Sequence, residues 1–156
     1  MATITLCGSN KFRDQILLLA AQLMLKERHV LNLPQNCTDI VESYPDVLKP
    51  EIFTYIQSGL LLTHFEKIRK SDLVIICNFN GYCGNSTTLE LGYAYGCGKP
   101  IAFIDEDEEL ARQVLSSYTI FGKEHIENRK DGFKYDTYEY DKMVSAILEI
   151  IHSMKR

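Results

Sequence analysis

The fold of this 156-residue chain is decided by one stretch, residues 78–100, which reads NFNGYCGNSTTLELGYAYGCGKP. It follows an apolar run at 73–77, LVIIC, whose length and β-branched residues are typical of a buried strand. Glycines and a polar cluster at 81–88 come next, then a helical pattern, and then a second strand-like run at 101–104, IAFI. The stretch therefore predicts a strand–turn–helix–strand unit. Its polar turn lies at the carboxyl end of the first strand, where open α/β sheets bind ligands.

The same alternation of strand and helix patterns extends in both directions. Strands are predicted at 3–7, 29–33, 73–77, 101–104 and 133–138, and helices at 11–28, 51–70, 108–117 and 141–154. Residues 35–50 are polar and rich in proline, which predicts a loop with at most a short helix, of a length that often serves as a lid. The pattern predicts one α/β domain over residues 1–156, with a doubly wound, mainly parallel sheet of five strands.

The composition excludes several classes of function. The net charge is −4 and no basic run is present, which argues against a nucleic-acid polymer as partner. No apolar stretch approaches the roughly 20 residues of a membrane span, and the first residues lack the features of a signal peptide. Five cysteines without a CxxC pair favour reduced thiols and a cytoplasmic location. The four histidines are isolated in sequence, so neither a metal nor another cofactor is expected.

Glu90 is the leading candidate for chemistry. It is the single acid among the apolar positions of the helix that follows the glycine-rich turn. Such a carboxylate, partly buried over the crevice, can attack an anomeric carbon and divide one displacement into two easier ones. The alternative is structural, because Thr87-x-x-Glu90 also matches a capping box, a common device at the start of a helix.

Two polar turns are predicted to meet at the same edge of the sheet. Gly8-Ser9-Asn10 follows the first strand and residues 81–88 follow the third, and each opens a helix. Backbone N–H groups at helix N-termini bind phosphate, and Lys11 and Arg13 can add positive charge. In the alternative interpretation Ser9, Ser86 or Thr87 only caps a helix.

Other polar residues receive structural interpretations from sequence alone. His64 falls on the apolar stripe of its helix, which favours a hydrogen-bonded core histidine over a catalyst. Cys7 and Cys77 end strands and are interpreted as small core hydrophobes. Asp72 precedes the third strand, at the edge of the sheet opposite the polar turns.

Three segments carry a resemblance to a known family. They are ITLCGSNKF at 4–12, HFEKIRKSDLVIICNFNGYCGNSTTLELGYAYGCGKPIAFI at 64–104, and the strand-plus-helix ending. Together they resemble the nucleoside 2-deoxyribosyltransferase-like superfamily, which includes deoxynucleoside 5′-monophosphate N-glycosidases. The resemblance implies a Rossmann-like domain that cleaves the N-glycosidic bond of a nucleoside or nucleotide, by hydrolysis or base exchange. It also implies a homodimer or larger homo-oligomer with shared sites.

The resemblance assigns roles to individual residues. Glu90 matches the family's nucleophile. His64 has no such match, and its ordinary pKa makes it the candidate for steering the base or acting as an acid toward the leaving group. Ser116 looks most like a serine that, in the monophosphate hydrolases, reaches the phosphate in the neighbouring subunit. The full set implied to bind substrate is Gly8, Ser9, Asn10, Lys11, Phe12, Gly84, Ser86, Thr87 and Ser116.

The chain departs from the family pattern at three positions. Gly84 stands where the transferases have Asp, Ser86 stands where they have Gly, and His64 stands where many members have an Asp that contacts sugar or base. The glycine at 84 removes a repelling charge and favours nucleotides over nucleosides. Two alternatives stay open. One is a non-catalytic nucleotide-binding or sensor module, and the other is a phosphoribohydrolase acting on ribonucleotides, whose paired glycines GNSTTLE lacks.

Overall fold

The computed structural model describes residues 1–35, 38–127 and 137–155. Its described part contains one five-stranded parallel sheet in the order β2-β1-β3-β4-β5. The strands are β1 (Thr3–Cys7), β2 (Val30–Asn32), β3 (Leu73–Ile76), β4 (Ile101–Asp105) and β5 (Tyr118–Phe121). The prediction of a doubly wound, parallel five-stranded sheet is confirmed.

The helices alternate with the strands along the chain. They are α1 (Arg13–Lys26), α2 (Thr38–Val41), α3 (Lys49–Arg69), α4 (Asn85–Gly96), α5 (Leu110–Gln113), α6 (Lys123–Glu127) and α7 (Thr137–Met154). A short 3₁₀ turn, Asn10–Phe12, leads into α1. Pro50 lies inside the first turn of α3 rather than before it, because proline is tolerated where backbone N–H groups lack an intrahelical partner. No described helix is long and apolar enough to cross a membrane.

Two hydrophobic clusters cover the two faces of the sheet. One packs α1 and α7 against side chains such as Ile4, Leu6 and Ile75. The other packs α3 and α4 against the opposite face, with Val74, Ile76 and Phe103 among its members. Since adjacent strand residues point to opposite faces, strands covered on both sides are continuously apolar, as LVII and IAFI are.

The carboxyl-terminal third of the chain differs from the sequence-based expectation. The fifth strand is Tyr118–Phe121, not residues 133–138. Residues 137 and 138 begin α7, and 133–136 lie outside the described residues. The helix predicted over 108–117 is reduced to α5, because the chain must reach the edge of the sheet by Ser117, whose N–H donates to the carbonyl of Ile101 at 2.8 Å.

The strand order places a switch point between β1 and β3. From β1 the chain crosses to β2 on one side, and from β3 it continues through β4 to β5 on the other. Connections therefore leave the carboxyl ends of β1 and β3 in opposite directions, and a crevice opens between them. This crevice is where Gly8-Ser9-Asn10 and the turn before α4 meet.

Candidate functional site

A cleft of about 310 Å³ occupies the crevice at the switch point. Its walls come from the turns after β1 and β3 and from helices α3 and α4, which pack side by side. The residues that line it are Gly8, Ser9, Asn10, Pro34, Gln35, Gln57, Leu60, Leu61, His64, Tyr82, Gly84, Asn85, Ser86, Thr87 and Glu90. None of these is Lys or Arg, so the described wall of the cleft offers hydroxyl, amide and backbone groups rather than cations.

Glu90 lies in the second turn of α4, facing the cleft. The helix begins at Asn85, with Gly84 as its N-cap residue and no side-chain capping bond. Thr87 is therefore inside the first turn and buried, and Thr87 and Glu90 do not occupy the positions of a capping box. Glu90 is only 7% exposed. Helix capping thus does not account for this carboxyl group.

Three reactive side chains from distant parts of the sequence converge at the floor of the cleft. Cys7 comes from the carboxyl end of β1, His64 from α3 and Glu90 from α4. His64 Nε2 lies 3.4 Å from Cys7 Sγ and 3.8 Å from Glu90 Oε1. All three residues are buried. The interpretation of Cys7 as a mere core hydrophobe is therefore incomplete, because its sulfur faces the candidate catalytic carboxyl group.

Burial controls the ionisation of this trio. It raises the pKa of Glu90 to about 7, and a hydrogen bond with Cys7 partly opposes the rise. Burial, with the positive charge of Lys67, lowers the pKa of His64 to about 4, against a hydrogen bond to the backbone of Leu6. Burial and the Glu90 charge also raise the pKa of the Cys7 thiol well above its ordinary value. The 3.8 Å between His64 Nε2 and Glu90 Oε1 would suit an ion pair. With its pKa lowered to about 4, however, His64 is neutral at pH 7.

This result corrects one premise about His64. An unperturbed imidazole would titrate near neutrality and could protonate a leaving group. In the buried site the imidazolium form is disfavoured at pH 7, so His64 does not hold a transferable second proton there. A neutral imidazole can still orient a group in the cleft by donating or accepting one hydrogen bond.

The turn after β1 is shaped by a steric requirement at Gly8. A Cβ atom at this position would lie 2.7 Å from Ile16 Cδ1 and 3.1 Å from Cys77 Cβ. Glycine lets α1 and the end of β3 approach the turn closely. Ser9 and Asn10 then reach the cleft, and Ser9 makes no side-chain capping bond to the helical turn that follows.

The turn before α4 contributes Gly84, Ser86 and Thr87 to the same cleft. A Cβ atom at Gly84 would meet only Tyr82 and Ser9, at 3.8 Å or more, and Gly84 has an ordinary φ of −74°. The backbone therefore does not require glycine at position 84. Because Gly84 has no side chain, space is left between the turn after β1 and the turn before α4.

Three residues of the predicted substrate-binding set lie away from the described lining of the cleft. Phe12 is buried and packs edge-on against Phe79 and Tyr82. Lys11 lies with Nζ 3.4 Å from the centre of the Tyr82 ring. Ser116 follows α5, and its hydroxyl donates to the carbonyl of Gln113 at 2.8 Å. Direct contact of these three residues with substrate stays a prediction.

Sequence reasoning missed the residues that hold the turn after β3. The Asn78 amide donates to the backbone carbonyl of Asp105 at 2.8 Å and accepts from its N–H at 3.1 Å. The Asp105 carboxylate accepts from the N–H of Asn80 at 2.6 Å. Asn80 and Gly81 have φ of 54° and 77°, and a Cβ atom at Gly81 would lie 3.0 Å from the Glu106 carbonyl. The signal available in the sequence was Asn-x-Asn-Gly directly after a buried strand.

Comparison with solved structures identifies enzymes of similar fold. A 2-deoxyribosyltransferase from Bacillus psychrosaccharolyticus matches with a TM-score of 0.50 and 17% sequence identity, over 88% of this chain and 94% of that chain. The CMP N-glycosidase BcmB from Clostridium botulinum matches with a TM-score of 0.50 and 14% identity, over 94% and 98% of the two chains. No protein-family profile and no curated protein sequence matches. The chain thus has the α/β fold, over nearly its whole length, that is also found in a deoxyribosyltransferase and a nucleotide N-glycosidase.

Proposed function

We propose that this protein cleaves the N-glycosidic bond of a nucleoside or its 5′-monophosphate, with Glu90 as the nucleophile. The observation that carries the proposal is a buried carboxyl group, not used as a helix cap, on the wall of a cleft at the switch point of the sheet. Membership of the nucleoside 2-deoxyribosyltransferase-like superfamily is part of the proposal. The shared fold with two enzymes of that chemistry supports it.

The reaction proceeds in two displacements at C1′ of the sugar. The Glu90 carboxylate attacks C1′, the bond from C1′ to the base nitrogen breaks, and the base leaves with the electron pair of that bond. The product is a glycosyl ester of Glu90. Water or a second base then attacks C1′, and the ester bond breaks to restore the carboxylate. Partial desolvation makes the carboxylate a better nucleophile than it would be in water.

The two turns supply the groups that hold sugar and phosphate. Ser9 and Asn10 face Ser86 and Thr87 across the cleft, at the start of α4. A 5′-phosphate at this position would accept hydrogen bonds from hydroxyl groups and from the free backbone N–H groups of the helix, and the helix dipole would favour its charge. The space left by Gly84 supports a monophosphate over a nucleoside.

His64 serves the leaving base in this scheme. Its ring lies beside Glu90 on the same wall. As a neutral imidazole it orients the base through a hydrogen bond. Protonation of the base as it leaves therefore falls to solvent, because Glu90 must already be ionised to attack C1′.

The test is release of free base from ribo- and deoxyribonucleosides and their 5′-monophosphates, followed by liquid chromatography. We expect wild type to release base from one class of these substrates. Glu90→Ala and Glu90→Gln should lose on the order of 10³-fold or more in kcat/KM, because the nucleophile is removed. Glu66→Gln is the matched control, since Glu66 is an exposed acid of α3 that pairs with Arg69. A second run with excess free base separates hydrolysis from base exchange.

Two outcomes would contradict the proposal. Base release that persists in both Glu90 variants would remove Glu90 from the nucleophile role. No release from any substrate, together with an equal shift of the melting temperature by one ligand in wild type and both variants, would make the cleft a nucleotide-binding or sensor site.

The proposal also covers the oligomeric state of the protein and its location in the cell. A homodimer or larger homo-oligomer would bring Ser116 of one chain toward the phosphate bound by its neighbour. Ser116→Ala should then reduce activity on monophosphates more than on nucleosides. A cytoplasmic location fits the free thiols of the four cysteines that lie in the described part of the chain, which are Cys7, Cys77, Cys83 and Cys97.

A further inference from the structure

Cys7, His64 and Glu90 form a compact set of three different donor atoms. The Sγ, ring-nitrogen and carboxylate-oxygen positions all lie within 4.8 Å of one another, with 3.4 Å between Cys7 and His64 and 3.8 Å between His64 and Glu90. Each residue is fixed by a separate element, β1, α3 or α4, and each is buried. The cluster borders the open cleft, so a small ion can reach it from solvent.

The spacing matches a tetrahedral metal ion. Zinc binds sulfur at about 2.3 Å and nitrogen or oxygen at about 2.0–2.2 Å, which places neighbouring ligands about 3.4–3.6 Å apart. The Cys7–His64 pair, at 3.4 Å, already has this spacing, and the His64–Glu90 pair, at 3.8 Å, needs to close by a few tenths of an ångström. The Cys7–Glu90 pair lies within 4.8 Å and needs to close by at most about 1.2 Å. The mixture of thiolate, imidazole and carboxylate favours Zn²⁺ over Mg²⁺ or Ca²⁺, which prefer oxygen alone.

We propose that Cys7, His64 and Glu90 constitute a three-ligand site for a thiophilic divalent cation, Zn²⁺ in particular, with the fourth position open to the cleft. Binding displaces the proton of the Cys7 thiol to solvent and engages an oxygen of Glu90. If the proposed function holds, the metal-bound protein is inactive, because the Glu90 carboxylate that coordinates the ion cannot attack C1′. The site is thus a reversible metal switch on the nucleophile.

The other described cysteines lack this arrangement. Cys77 belongs to the cluster on the opposite face of the sheet. Cys83 and Cys97 are partly exposed, and within the described chain neither belongs to a group of three such ligands. Cys97 therefore provides a matched control for a thiol at a different place in the same chain.

The first experiment measures binding without reference to activity. Chelator-treated protein is titrated with Co²⁺, whose visible and near-ultraviolet absorption reports tetrahedral geometry and a thiolate ligand, and Zn²⁺ is then used to displace it. We expect one ion per chain in wild type and in Cys97→Ser. Cys7→Ser and His64→Asn should each weaken binding at least about tenfold, because a direct ligand is lost. Cys7→Ser should also abolish the thiolate band.

Specific results would overturn the site. The site would be excluded if wild type bound Co²⁺ no more tightly than Cys7→Ser, or if its cobalt spectrum lacked a thiolate band. It would also be excluded if Cys97→Ser weakened Co²⁺ binding as much as Cys7→Ser does. Melting curves of the metal-free variants establish that each is folded before titration. Because absorption is read without substrate, the titration decides the site even if no base release is ever found.

The second experiment tests the switch in the base-release assay. Zn²⁺ should abolish release by wild type, and a chelator should restore it. Activation by Zn²⁺, or inhibition that is unchanged in Cys7→Ser, would overturn the switch while leaving the N-glycosidase proposal standing. An inactive wild type combined with a saturable cobalt spectrum would contradict the proposed function and retain the metal site.

Discussion

The proposed chemistry of this cleft depends on one carboxyl group, Glu90, whose burial disfavours its charged form. A surface glutamate is fully ionised at neutral pH, whereas burial raises the pKa of Glu90 to about 7. The group that partly restores the charge is Cys7, through a hydrogen bond. Around the carboxyl group, β1 contributes Cys7, α3 contributes His64, and the turn before α4 contributes the partly buried Cys83 thiol.

The first prediction concerns the pH dependence of catalysis. A nucleophile must be deprotonated, so in chelator-containing buffer kcat/KM should rise through about pH 7 and level off above it. Cys7→Ala removes the hydrogen bond that lowers the pKa of Glu90, and the rising limb should move to higher pH. Cys7→Ser keeps a donor and should resemble wild type. A profile that is flat around pH 7, or identical in Cys7→Ala and wild type, would contradict this role.

The second prediction concerns stability and isolates the cost of burying Glu90. In the unfolded chain the carboxyl group loses its proton near its ordinary pKa of 4.5, while the folded chain holds it to about 7. As pH rises between these values the folded state therefore loses stability relative to a variant that cannot ionise. Glu90→Gln should be about as stable as wild type well below pH 4.5, and more stable by about 3 kcal/mol above pH 7.

Urea unfolding at the two pH extremes measures this difference. The opposite effect of His64, whose neutral form is favoured in the folded chain, is present in both proteins and cancels in the comparison. A difference between wild type and Glu90→Gln that does not change with pH would show that burial does not perturb the carboxyl group.

At the scale of elements, the start of α4 determines which groups can lie beside Glu90 in the cleft. Gly84 is the N-cap residue of the helix with an ordinary φ, and a Cβ atom there would approach Tyr82 and Ser9 no closer than 3.8 Å. Position 84 can therefore accept other residues without backbone strain. Its glycine is a matter of charge and space in the cleft.

The third prediction uses this position to distinguish nucleotides from nucleosides. Gly84→Asp introduces a negative charge where the 5′-phosphate is proposed to bind, while Gly84→Asn introduces the same shape without charge. Both residues are good N-caps and should preserve the fold. Gly84→Asp should lower kcat/KM for monophosphates by on the order of 10–100-fold relative to Gly84→Asn. The same comparison for nucleosides should show a smaller difference in kcat/KM. Equal effects of Asp and Asn on both substrate classes would place the phosphate elsewhere.

Elements also show how far the sequence could be interpreted. The apolar runs LVII and IAFI, flanked by glycine and polar turns, correctly predicted two central strands, because a strand buried on both faces has no polar alternation. The edge strand YTIF is only four residues long and half exposed, so its β-favouring residues form a weaker pattern than the longer alternation that follows. The aromatic alternation near 133–138 was the stronger local signal, yet residues 137 and 138 join the amphipathic α7.

The candidate site was predictable in part for a similar reason. Glu90, Ser9 and Thr87 follow strands and glycines, which are local signals that a sequence displays. The approach of Cys7 to His64 is not local, because 57 residues separate them and only the pairing of β1 with β3 and the packing of α3 bring them together. Burial, and with it the direction of each pKa, likewise exists only in the folded chain.

At the scale of the whole molecule, the two helices that line the candidate cleft also present a candidate surface for assembly. Both α3 and α4 expose large apolar side chains to solvent, with Tyr55 and Leu62 on α3 and Leu89 and Tyr95 on α4 all more than half exposed. Tyr55 and Leu62 are seven residues apart and share one face of their helix. Because α3 and α4 are adjacent and also line the candidate cleft, these exposed apolar residues favour an interface at this side.

The last prediction tests that interface by the mass of the particle in solution. Wild type should elute as a dimer or larger assembly when size-exclusion chromatography is combined with light scattering. Leu62→Glu places a charge on the exposed face of α3 and should lower the mass, whereas Leu25→Glu, at an even more exposed apolar position on α1 across the sheet, should leave it unchanged. If the site is shared, Leu62→Glu should also lose activity on monophosphates in proportion to the lost assembly. A monomeric wild type that retains full activity would mean that one chain carries the complete site, and Ser116 would then have no phosphate to reach.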